Sequence, residues 1–259
     1  MKGLHRLLVL ITACSSNYAL ASDQPTTPNF NLSGNVALAS EYRWRGQTQT
    51  QNDAAFQGNF LLNHSSGFYV AAFASNVDFG DEAHLELDPF IGYTTPISLG
   101  NFRPTLDIGM LRYNYVGKSD LNYNEYYLKM IINNALNDND SFSPSISYTD
   151  QYGGKATRQN TGQDVNNWYF NLLYTTPIAQ THFGAVASLG YSKASREIYG
   201  GEAKDHFFDW KIGANYSYKP MNLSVELAAI GTDLVHTGYS DSNKKGVKTA
   251  AVFSLTKPF

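Results

Sequence analysis

The sequence is poor in charge and in cysteine, and it contains no long apolar run after its N-terminal segment. Charged residues make up 16% of the 259 residues. The only cysteine is Cys14, which excludes an intrachain disulfide. No later stretch reaches the length of about 18 apolar residues that marks a transmembrane helix. These absences exclude a disulfide-stapled secreted domain and a helical membrane protein.

Aromatic residues and glycine are abundant instead. The chain has 18 Tyr, 15 Phe and 21 Gly, a composition that favours strands and turns over helices. The mean hydropathy of −0.33 resembles that of a soluble protein. It is equally compatible with a transmembrane barrel, because alternate residues of each strand face a wet lumen. The composition therefore indicates an all-β class.

The N-terminal segment has the three regions of a secretory signal peptide. Lys2 and Arg6 precede the apolar run Leu7 to Ala13, and Ala19-Leu20-Ala21 supplies a small-residue cleavage site. We expect a signal peptide at residues 1–21 and one mature domain, an outer-membrane β-barrel, at residues 22–259. Two of the 19 Lys and Arg residues leave with the signal peptide, so 17 basic residues face 22 acidic ones and the net charge is −5. Nothing in this balance indicates a nucleic-acid partner.

A second interpretation of the same segment stays open. Ile11-Thr12-Ala13-Cys14 resembles a lipoprotein cleavage box, in which Cys14 is acylated and becomes the first mature residue. With cleavage after Ala21, the mature chain has no cysteine at all.

Alternation of apolar and polar residues predicts the strands. In the clearest stretch, Phe208, Trp210 and Ile212 alternate with Asp209, Lys211 and Gly213. Further segments of about ten residues, long enough to cross a bilayer when tilted, bring the total to about twelve: 31–41, 55–63, 68–76, 85–93, 102–114, 123–132, 142–149, 167–174, 182–191, 223–231 and 247–259. Short and long connections alternate between them, as periplasmic turns and extracellular loops do. We therefore predict an all-β fold, a transmembrane antiparallel up-and-down β-barrel of about twelve strands.

Two local features agree with a barrel in the outer membrane. Tyr93-Thr94-Thr95-Pro96-Ile97 and Tyr174-Thr175-Thr176-Pro177-Ile178 predict two similar short turns, each with an amphipathic tyrosine ring just inside it. The last predicted strand ends on Phe259. A terminal aromatic residue on an alternating strand resembles the assembly signal of bacterial outer-membrane proteins, so we expect the barrel-assembly machinery to recognise Phe259.

Residues 35–79 contain four short motifs in a fixed order: a Tyr-Arg-aromatic-Arg-Gly loop, an Ala-x-Gln-Gly strand, a Ser-Gly-Phe-Tyr turn and a Ser-Asn-Val-Asp-Phe segment. The residues that form them are Tyr42 to Gly46, then Ala55, Gln57 and Gly58, then Ser66 to Tyr69, then Ser75 to Phe79. In these motifs the segment resembles the opening of the TorF family of porin-like proteins. The resemblance implies an outer-membrane location and a channel-like role, and it says little about the solute.

The lumen-facing phase is where a channel function would be encoded. The predicted register places acidic and basic side chains there, with a small acidic excess: Glu86, Asp88, Asp107, Glu125, Asp209 and Glu226 against Arg103, Lys129, Lys211 and Lys248. A channel for acidic sugars would be expected to line itself with Arg and Lys. We therefore expect a weak preference for cations.

The Arg43-Trp44-Arg45 cluster at the outer end of the first strand is the sharpest single feature. It has two interpretations. The cluster could fold inward as a basic constriction, or it could anchor the barrel to the phosphates of lipopolysaccharide and to outer-membrane lipid.

A search for catalytic patterns gives one weak candidate. His64-Ser65-Ser66 supplies the His-x-Ser spacing used by outer-membrane phospholipases, but it falls in a predicted tight periplasmic turn. The other mature histidines lack metal-ligand spacing, and no cofactor is expected.

We therefore expect a porin-like channel for the passive diffusion of small hydrophilic solutes or ions. The first alternative is a closed structural or adhesive barrel, because twelve strands fall between filled barrels of about eight and open ones of sixteen or more. A phospholipase-type enzyme is the less favoured alternative.

Overall fold

Twelve long antiparallel strands form the body of the protein in a computed structural model that describes residues 30–259, apart from residues 101, 203 and 241–243. The predicted signal segment 1–21 and Cys14 lie outside the described residues. We number the long strands β1 (Phe30–Ala39), β2 (Ala55–His64), β3 (Phe68–Asn76), β4 (Leu85–Pro96), β5 (Thr105–Tyr113), β6 (Tyr123–Asn133), β7 (Ser141–Thr149), β8 (Asn167–Pro177), β9 (Phe183–Ala194), β10 (His206–Tyr218), β11 (Leu223–Thr232) and β12 (Ala250–Pro258).

The sheet closes on itself. Each strand pairs with its sequence neighbours, and β1 pairs with β2 on one side and with β12 on the other. The pairing of β3 with β4 completes the ring. Because consecutive strands are neighbours throughout, the topology is up-and-down, and the predicted closed antiparallel barrel of twelve strands is confirmed.

The two faces of the barrel differ in chemistry. The outward phase of β8 is Trp168, Phe170 and Leu172, each between 42% and 48% exposed. The inward phase of the same strand begins with Asn167, which is buried. Since side chains alternate across a strand, the same separation repeats around the ring. The result is an apolar outer surface and a largely polar interior.

The connections divide the barrel into two ends. Residues 65–67, 97–104, 134–140, 178–182 and 219–222 form the short connections at what we call the turn end. Residues 40–54, 77–84, 114–122, 150–166, 195–205 and 233–249 form the connections at the loop end, most of which are longer. As the repeated Tyr-Thr-Thr-Pro segments predict, β4 ends at Pro96 and β8 ends at Pro177.

Most of the remaining elements lie in the long connections. They are short strands at Arg43–Trp44, Gln47–Thr48 and Tyr115–Val116, a helix α1 at Gly154–Thr161, and single 3-10 turns at Ser119–Leu121, Lys219–Met221 and Asp233–His236. Within the described part of the chain, no helix has the length and apolar character needed to cross a membrane.

The C-terminal residue takes part in closing the ring. The amide of Phe259 donates to the carbonyl of Gly34 at 3.0 Å, and the amide of Gly34 donates to the carbonyl of Phe259 at 3.1 Å. The Phe259 ring lies on the outer surface against Phe60, with 5.5 Å between ring centroids. It also covers Gly34, where a Cβ atom would lie 2.6 Å from the ring. Its predicted role as an assembly signal stays a prediction.

Candidate functional site inside the barrel

After β1 the chain folds into the barrel as a short hairpin, in which Arg43–Trp44 pairs with Gln47–Thr48. Arg45 and Gly46 form its tip with φ values of 47° and 78°. Positive φ at both central residues is what a primed two-residue hairpin turn requires. A Cβ atom on Gly46 would lie 2.6 Å from the carbonyl oxygen of Gly231, so the tip packs directly on the backbone of β11. This turn directs the side chain of Arg45 into the lumen.

Arg43 holds the hairpin in place. Its Nε lies 2.9 Å from the carboxylate of Glu41. Its Nη1 donates to the carbonyls of Gly46 at 3.0 Å and Lys248 at 2.7 Å, and its Nη2 donates to Asn52 at 3.0 Å. Because Lys248 precedes β12, these bonds attach the inward-folded hairpin to the far end of the chain. Arg43 is therefore a structural clamp.

Arg45 crosses the lumen. Its Nη2 lies 2.9 Å and 2.7 Å from the two carboxylate oxygens of Glu125 on β6. Its guanidinium carbon lies 3.8 Å from the ring centroid of Tyr169 on β8 and 4.2 Å from that of Trp44. In a ring of twelve strands, β7 lies opposite β1, and β6 and β8 flank it. The side chain of Arg45 therefore reaches the opposite wall from a hairpin tip whose backbone lies on β11.

The charge on Arg45 is stabilised where it lies. The side chains of Arg45 and Glu125 are each only 4% exposed, and an unpaired charge at such a position would cost several kcal/mol. Burial lowers the pKa of Arg45, but the carboxylate of Glu125 and the neighbouring tyrosines raise it, and the net pKa is well above the usual range. The planar guanidinium also suits stacking between two aromatic rings.

A chain of aromatic rings fills the loop end around Arg45. Ring centroids lie 5.6 Å apart for Trp44 and Tyr113, 4.6 Å for Tyr113 and Tyr123, 5.6 Å for Tyr123 and Tyr152, and 5.7 Å for Tyr152 and Tyr199. Burial raises the pKa of the loop residue Tyr152 to about 12, so its hydroxyl stays protonated at neutral pH. Adjacent to these rings, Val165, Phe207, Leu234 and Val247 form an apolar cluster.

Three inward carboxylates at the loop end are buried among hydrogen-bond donors. Glu86 hydrogen-bonds with the side chains of Tyr42 and Tyr115. Asp88 accepts a hydrogen bond from the backbone amide of Asn114 at 3.0 Å. Asp209 accepts one from the hydroxyl of Tyr169 at 3.1 Å. The bonds made by Glu86 and Asp209 join carboxylates to aromatic side chains of the filled loop end.

Towards the turn end the interior is polar and its charges occur in pairs. Lys211 and Glu226 lie 2.6 Å apart. Asp107 is the register partner of Lys129 and accepts a hydrogen bond from Tyr69 at 2.7 Å. Uncharged groups cover much of the remaining wall, including Asn171 and Ser188 at 2.8 Å and Asn35 and Asn59 at 3.2 Å. Asn35, Asn59, Asn171 and Ser188 are partly exposed although they face inward.

The structure places most of the predicted lumen residues on the inner face of the wall. Seven have buried side chains, namely Glu86, Asp88, Asp107, Glu125, Lys129, Asp209 and Glu226, and Lys211 is partly exposed. The Arg43-Trp44-Arg45 cluster lies inside the barrel, as in the first of its two interpretations, and both arginines are buried.

Arg103 and Lys248 differ from their predicted positions in the wall. Arg103 is exposed and hydrogen-bonds with Ser98 in the turn before β5, because Pro104 follows it and the strand begins only at Thr105. Lys248 is exposed in the loop before β12, which begins at Ala250. Its amide donates to the carbonyl of Lys244 in a helix-like turn, and this removes it from the extended phase.

The tyrosines around Arg45 are the functional candidates that the sequence analysis missed. Tyr113, Tyr123 and Tyr169 occupy the inward phase of their strands, a signal that the alternation pattern contained. Tyr152 and Tyr199 come from long connections, whose fold no periodicity predicts.

The catalytic candidate His64-Ser65-Ser66 lies in the tight turn where the sequence places it. Nδ1 of His64 lies 2.6 Å from Oγ of Ser66, and the amide of Ser66 donates to the same nitrogen at 3.2 Å. Both bonds join residues two apart and help to close the connection between β2 and β3. Among the described residues, no three His, Cys, Asp or Glu side chains are grouped as metal ligands.

The chain belongs to the family described as "Bacterial protein of unknown function (Gcw_chp)", whose model matches residues 23–259. A comparison with curated proteins finds no match. The more specific resemblance of residues 35–79 to TorF proteins stays a prediction.

Among solved structures, the NanC porin is similar with a TM-score of 0.56 and 10% identity over 87% of this chain and 98% of that chain. OccD3 (OpdP) of Pseudomonas aeruginosa has a TM-score of 0.44 and 11% identity over 89% of this chain and 65% of its own. OccAB4 of Acinetobacter baumannii has a TM-score of 0.43 and 12% identity over 80% of this chain and 54% of its own. The similarity to NanC shows that the chain has a porin-like barrel fold.

Proposed function

We propose that the protein is an outer-membrane channel for the passive diffusion of small hydrophilic solutes or ions, with its constriction at Arg45 and Glu125. The observation that carries the proposal is the ion pair between these two residues, in which Nη2 of Arg45 contacts both carboxylate oxygens of Glu125 and so joins an inward-folded loop to the opposite wall. A charged and stacked bridge of this kind narrows a lumen while leaving polar groups on either side of it.

The membrane location is supported by the outer surface of the barrel. Large apolar side chains from many strands are exposed there, among them Leu38 at 56%, Phe60 at 53% and Ile212 at 61%. An exposed apolar band of this extent is favourable against lipid and unfavourable against water. We also propose outer-membrane lipid and lipopolysaccharide as partners of this surface, and the barrel-assembly machinery as the partner of the strand that ends at Phe259.

The charges inside the barrel support a weak preference for cations. Seven inward carboxyl groups, Glu41, Glu86, Asp88, Asp107, Glu125, Asp209 and Glu226, face four inward cations, Arg43, Arg45, Lys129 and Lys211. The acidic groups outnumber the basic ones in a narrow space with low-dielectric walls, where screening is weaker than on an open surface. The placement of Arg103 and Lys248 outside the wall removes two cations from the predicted lining, and the inward fold of Arg43 and Arg45 adds two others.

A closed structural barrel is the second candidate, and one observation favours it. The aromatic rings around Arg45 and the fully buried Phe207 and Leu234 fill the loop end. If this packing persists in the membrane, the lumen conducts nothing.

Single-channel recording on the refolded full chain in planar bilayers separates the two candidates. We expect small, discrete current steps for the wild type and a roughly twofold or larger conductance for Arg45→Ala, because the bridge across the lumen is lost. Arg158→Ala, on an exposed face of helix α1, is the matched control and should keep the wild-type conductance. Absence of current from both the wild type and Arg45→Ala, with correctly folded barrels, would rule out the channel. Parallel measurement of lipid hydrolysis tests the phospholipase alternative, for which we expect no activity.

A further inference from the structure

From the level of Arg45 towards the turn end, the inner wall carries a continuous set of partly exposed polar side chains across β6 to β9. We call it the polar wall patch; it consists of Tyr127, Ser145, Ser147, Tyr169, Asn171 and Ser188. The strand register makes these residues neighbours: Ser147 is paired with Tyr127 on one side and with Tyr169 on the other, and Ser145 is paired with Asn171. Partial exposure of inward-facing side chains means that water can reach them from the lumen.

Hydrogen bonds order this patch without using all of its groups. The Nδ2 atom of Asn171 donates to the hydroxyl of Ser188 at 2.8 Å and approaches the hydroxyl of Tyr169 at 3.2 Å. Serine and tyrosine hydroxyls both donate and accept, and an amide oxygen accepts two bonds. The patch therefore presents both donors and acceptors to the lumen within a fixed wall.

The two tyrosines of the patch lie flat against the wall because glycines on the adjacent strands make room for them. A Cβ atom on Gly109 would overlap the hydroxyl of Tyr127, and one on Gly190 would overlap the hydroxyl of Tyr169. Gly109 and Gly190 thus keep the rings out of the centre of the lumen. The space in front of the patch is preserved by this packing.

The charges that border the patch are compensated locally. Lys211 on β10 is paired with Glu226, and Lys129 on β6 lies opposite Asp107. An anionic solute would have to displace a carboxylate from either lysine, and the acidic excess of the lumen would oppose it. An apolar solute would leave the hydroxyl and amide groups without hydrogen bonds, at a cost for each.

We propose that the polar wall patch binds an uncharged polyhydroxylated solute. This inference rests on the proposed channel function and deepens it by naming the solute class. Between its two tyrosines the patch offers the hydroxyl groups of Ser145, Ser147 and Ser188 and the amide of Asn171, and it carries no net charge, which is the chemistry that sugar hydroxyls match. The Arg45 bridge lies directly above, since Arg45 stacks on Tyr169, and a solute in the patch therefore sits next to the constriction.

Saturation-transfer NMR on the refolded full chain in detergent measures this binding independently of conduction. The probes are glucose and glucuronate, its anionic counterpart. We expect transfer to glucose and much weaker transfer to glucuronate. Asn171→Ala and Ser145→Ala should each weaken glucose binding about tenfold, through the loss of hydrogen bonds at the patch. The matched control is Asn59→Ala on the opposite wall, which should bind glucose as the wild type does.

Each outcome decides one of the two proposals. Absence of transfer to glucose, or stronger transfer to glucuronate than to glucose, overturns the solute class. Equal loss in Asn171→Ala, Ser145→Ala and Asn59→Ala, with wild-type heat-modifiable mobility for all three, places the binding elsewhere and overturns the site. Ion current without glucose binding supports the channel and overturns the binding site. Glucose binding without ion current supports the binding site and overturns the channel.

Discussion

The two halves of the barrel interior are built by the same twelve strands but are filled differently. At the loop end, Tyr42, Phe207 and Leu234 are at most 2% exposed, and aromatic rings meet across the lumen. At the turn end, short polar side chains such as Asn59 and Ser188 keep partial exposure. The difference comes from the connections, because the hairpin with Arg45, Tyr152 and Leu234 all belong to long loops. The alternating strands form the wall of the barrel, and the side chains of the long loops determine how much of the lumen is filled.

The largest expected effect is on the free energy of unfolding, and it is tested by two single variants that each remove one carboxylate, one variant for each half of the interior. Glu125→Ala leaves Arg45 buried without its partner, and we expect a loss of about 3–5 kcal/mol in the free energy of unfolding. Glu226→Ala should cost less, because the side chain of its partner Lys211 keeps 11% exposure and can reach solvent. Urea titration of the two variants in lipid vesicles measures the difference. Equal losses would show that the two halves hold charge in the same way.

The next comparison uses two glycines with positive φ, one at each end. Gly46 has φ 78° at the hairpin tip and Gly100 has φ 60° in the turn before β5. Each replacement by alanine carries a similar backbone penalty of about 1 kcal/mol. Gly46→Ala also forces a contact with the Gly231 carbonyl, whereas nothing lies within 4 Å of a Cβ atom on Gly100.

We therefore expect Gly46→Ala to lower the free energy of unfolding by about 2 kcal/mol more than Gly100→Ala. It should also raise the conductance, because the hairpin tip can no longer dock on β11. If the two variants match in both stability and conductance, the hairpin does not occupy the lumen in the membrane.

The contrast between the strands and the long loops also explains which features could be predicted from the sequence. The strands could be placed because a period of two depends on local sequence, and β4 and β8 end at the prolines that predicted their ends. The eight inward charged residues from Glu86 to Glu226 follow from the same phase. Arg103 and Lys248 were misplaced because strand starts are less well determined than strand centres.

The site itself could be predicted only in part. The Arg43-Trp44-Arg45 cluster left two interpretations open, since nothing local decides whether a loop folds into a lumen or over a rim. Its inward fold depends on distant partners: Glu125, Tyr169 and the Lys248 carbonyl are all far from it in sequence. A pairing across the whole barrel leaves no periodic signal in a single sequence.

A smaller effect should appear at the turn end, where Asp140 closes the connection between β6 and β7. Its carboxylate accepts hydrogen bonds from the amides of Ala135, Leu136 and Asn137 at 2.6 to 3.0 Å and from the hydroxyl of Tyr174 at 2.8 Å. Burial raises the pKa of Asp140, but these hydrogen bonds lower it by more, and the net pKa lies below the usual range.

A carboxyl group with a lowered folded-state pKa stabilises the protein above its unfolded pKa, and this contribution is lost as the pH falls through the folded pKa. We expect Asp140→Asn to lower the free energy of unfolding by about 1–2 kcal/mol at pH 7. The difference from the wild type should shrink below about pH 4, as the wild-type carboxyl group becomes protonated. Urea titration at several pH values tests this, and the conductance should stay unchanged because the connection lies outside the lumen. A difference that did not depend on pH would mean that the charge of Asp140 is not what stabilises the turn.

The smallest expected effect concerns ion selectivity at the turn end. Asp107 lies on the inner wall opposite Lys129, and its replacement removes a carboxylate that faces the positive charge of Lys129 in the register of the two strands. Because charges in a narrow lumen are only partly screened, Asp107→Asn should move the reversal potential in a KCl gradient by a few millivolts towards anion preference. Asp138→Asn, on an exposed residue of the turn between β6 and β7, removes the same charge from outside the lumen and should leave the reversal potential unchanged. An equal shift in both variants would mean that selectivity is set by the surface charge around the mouth. A shift in neither would mean that ions do not pass along the turn-end wall beside Asp107.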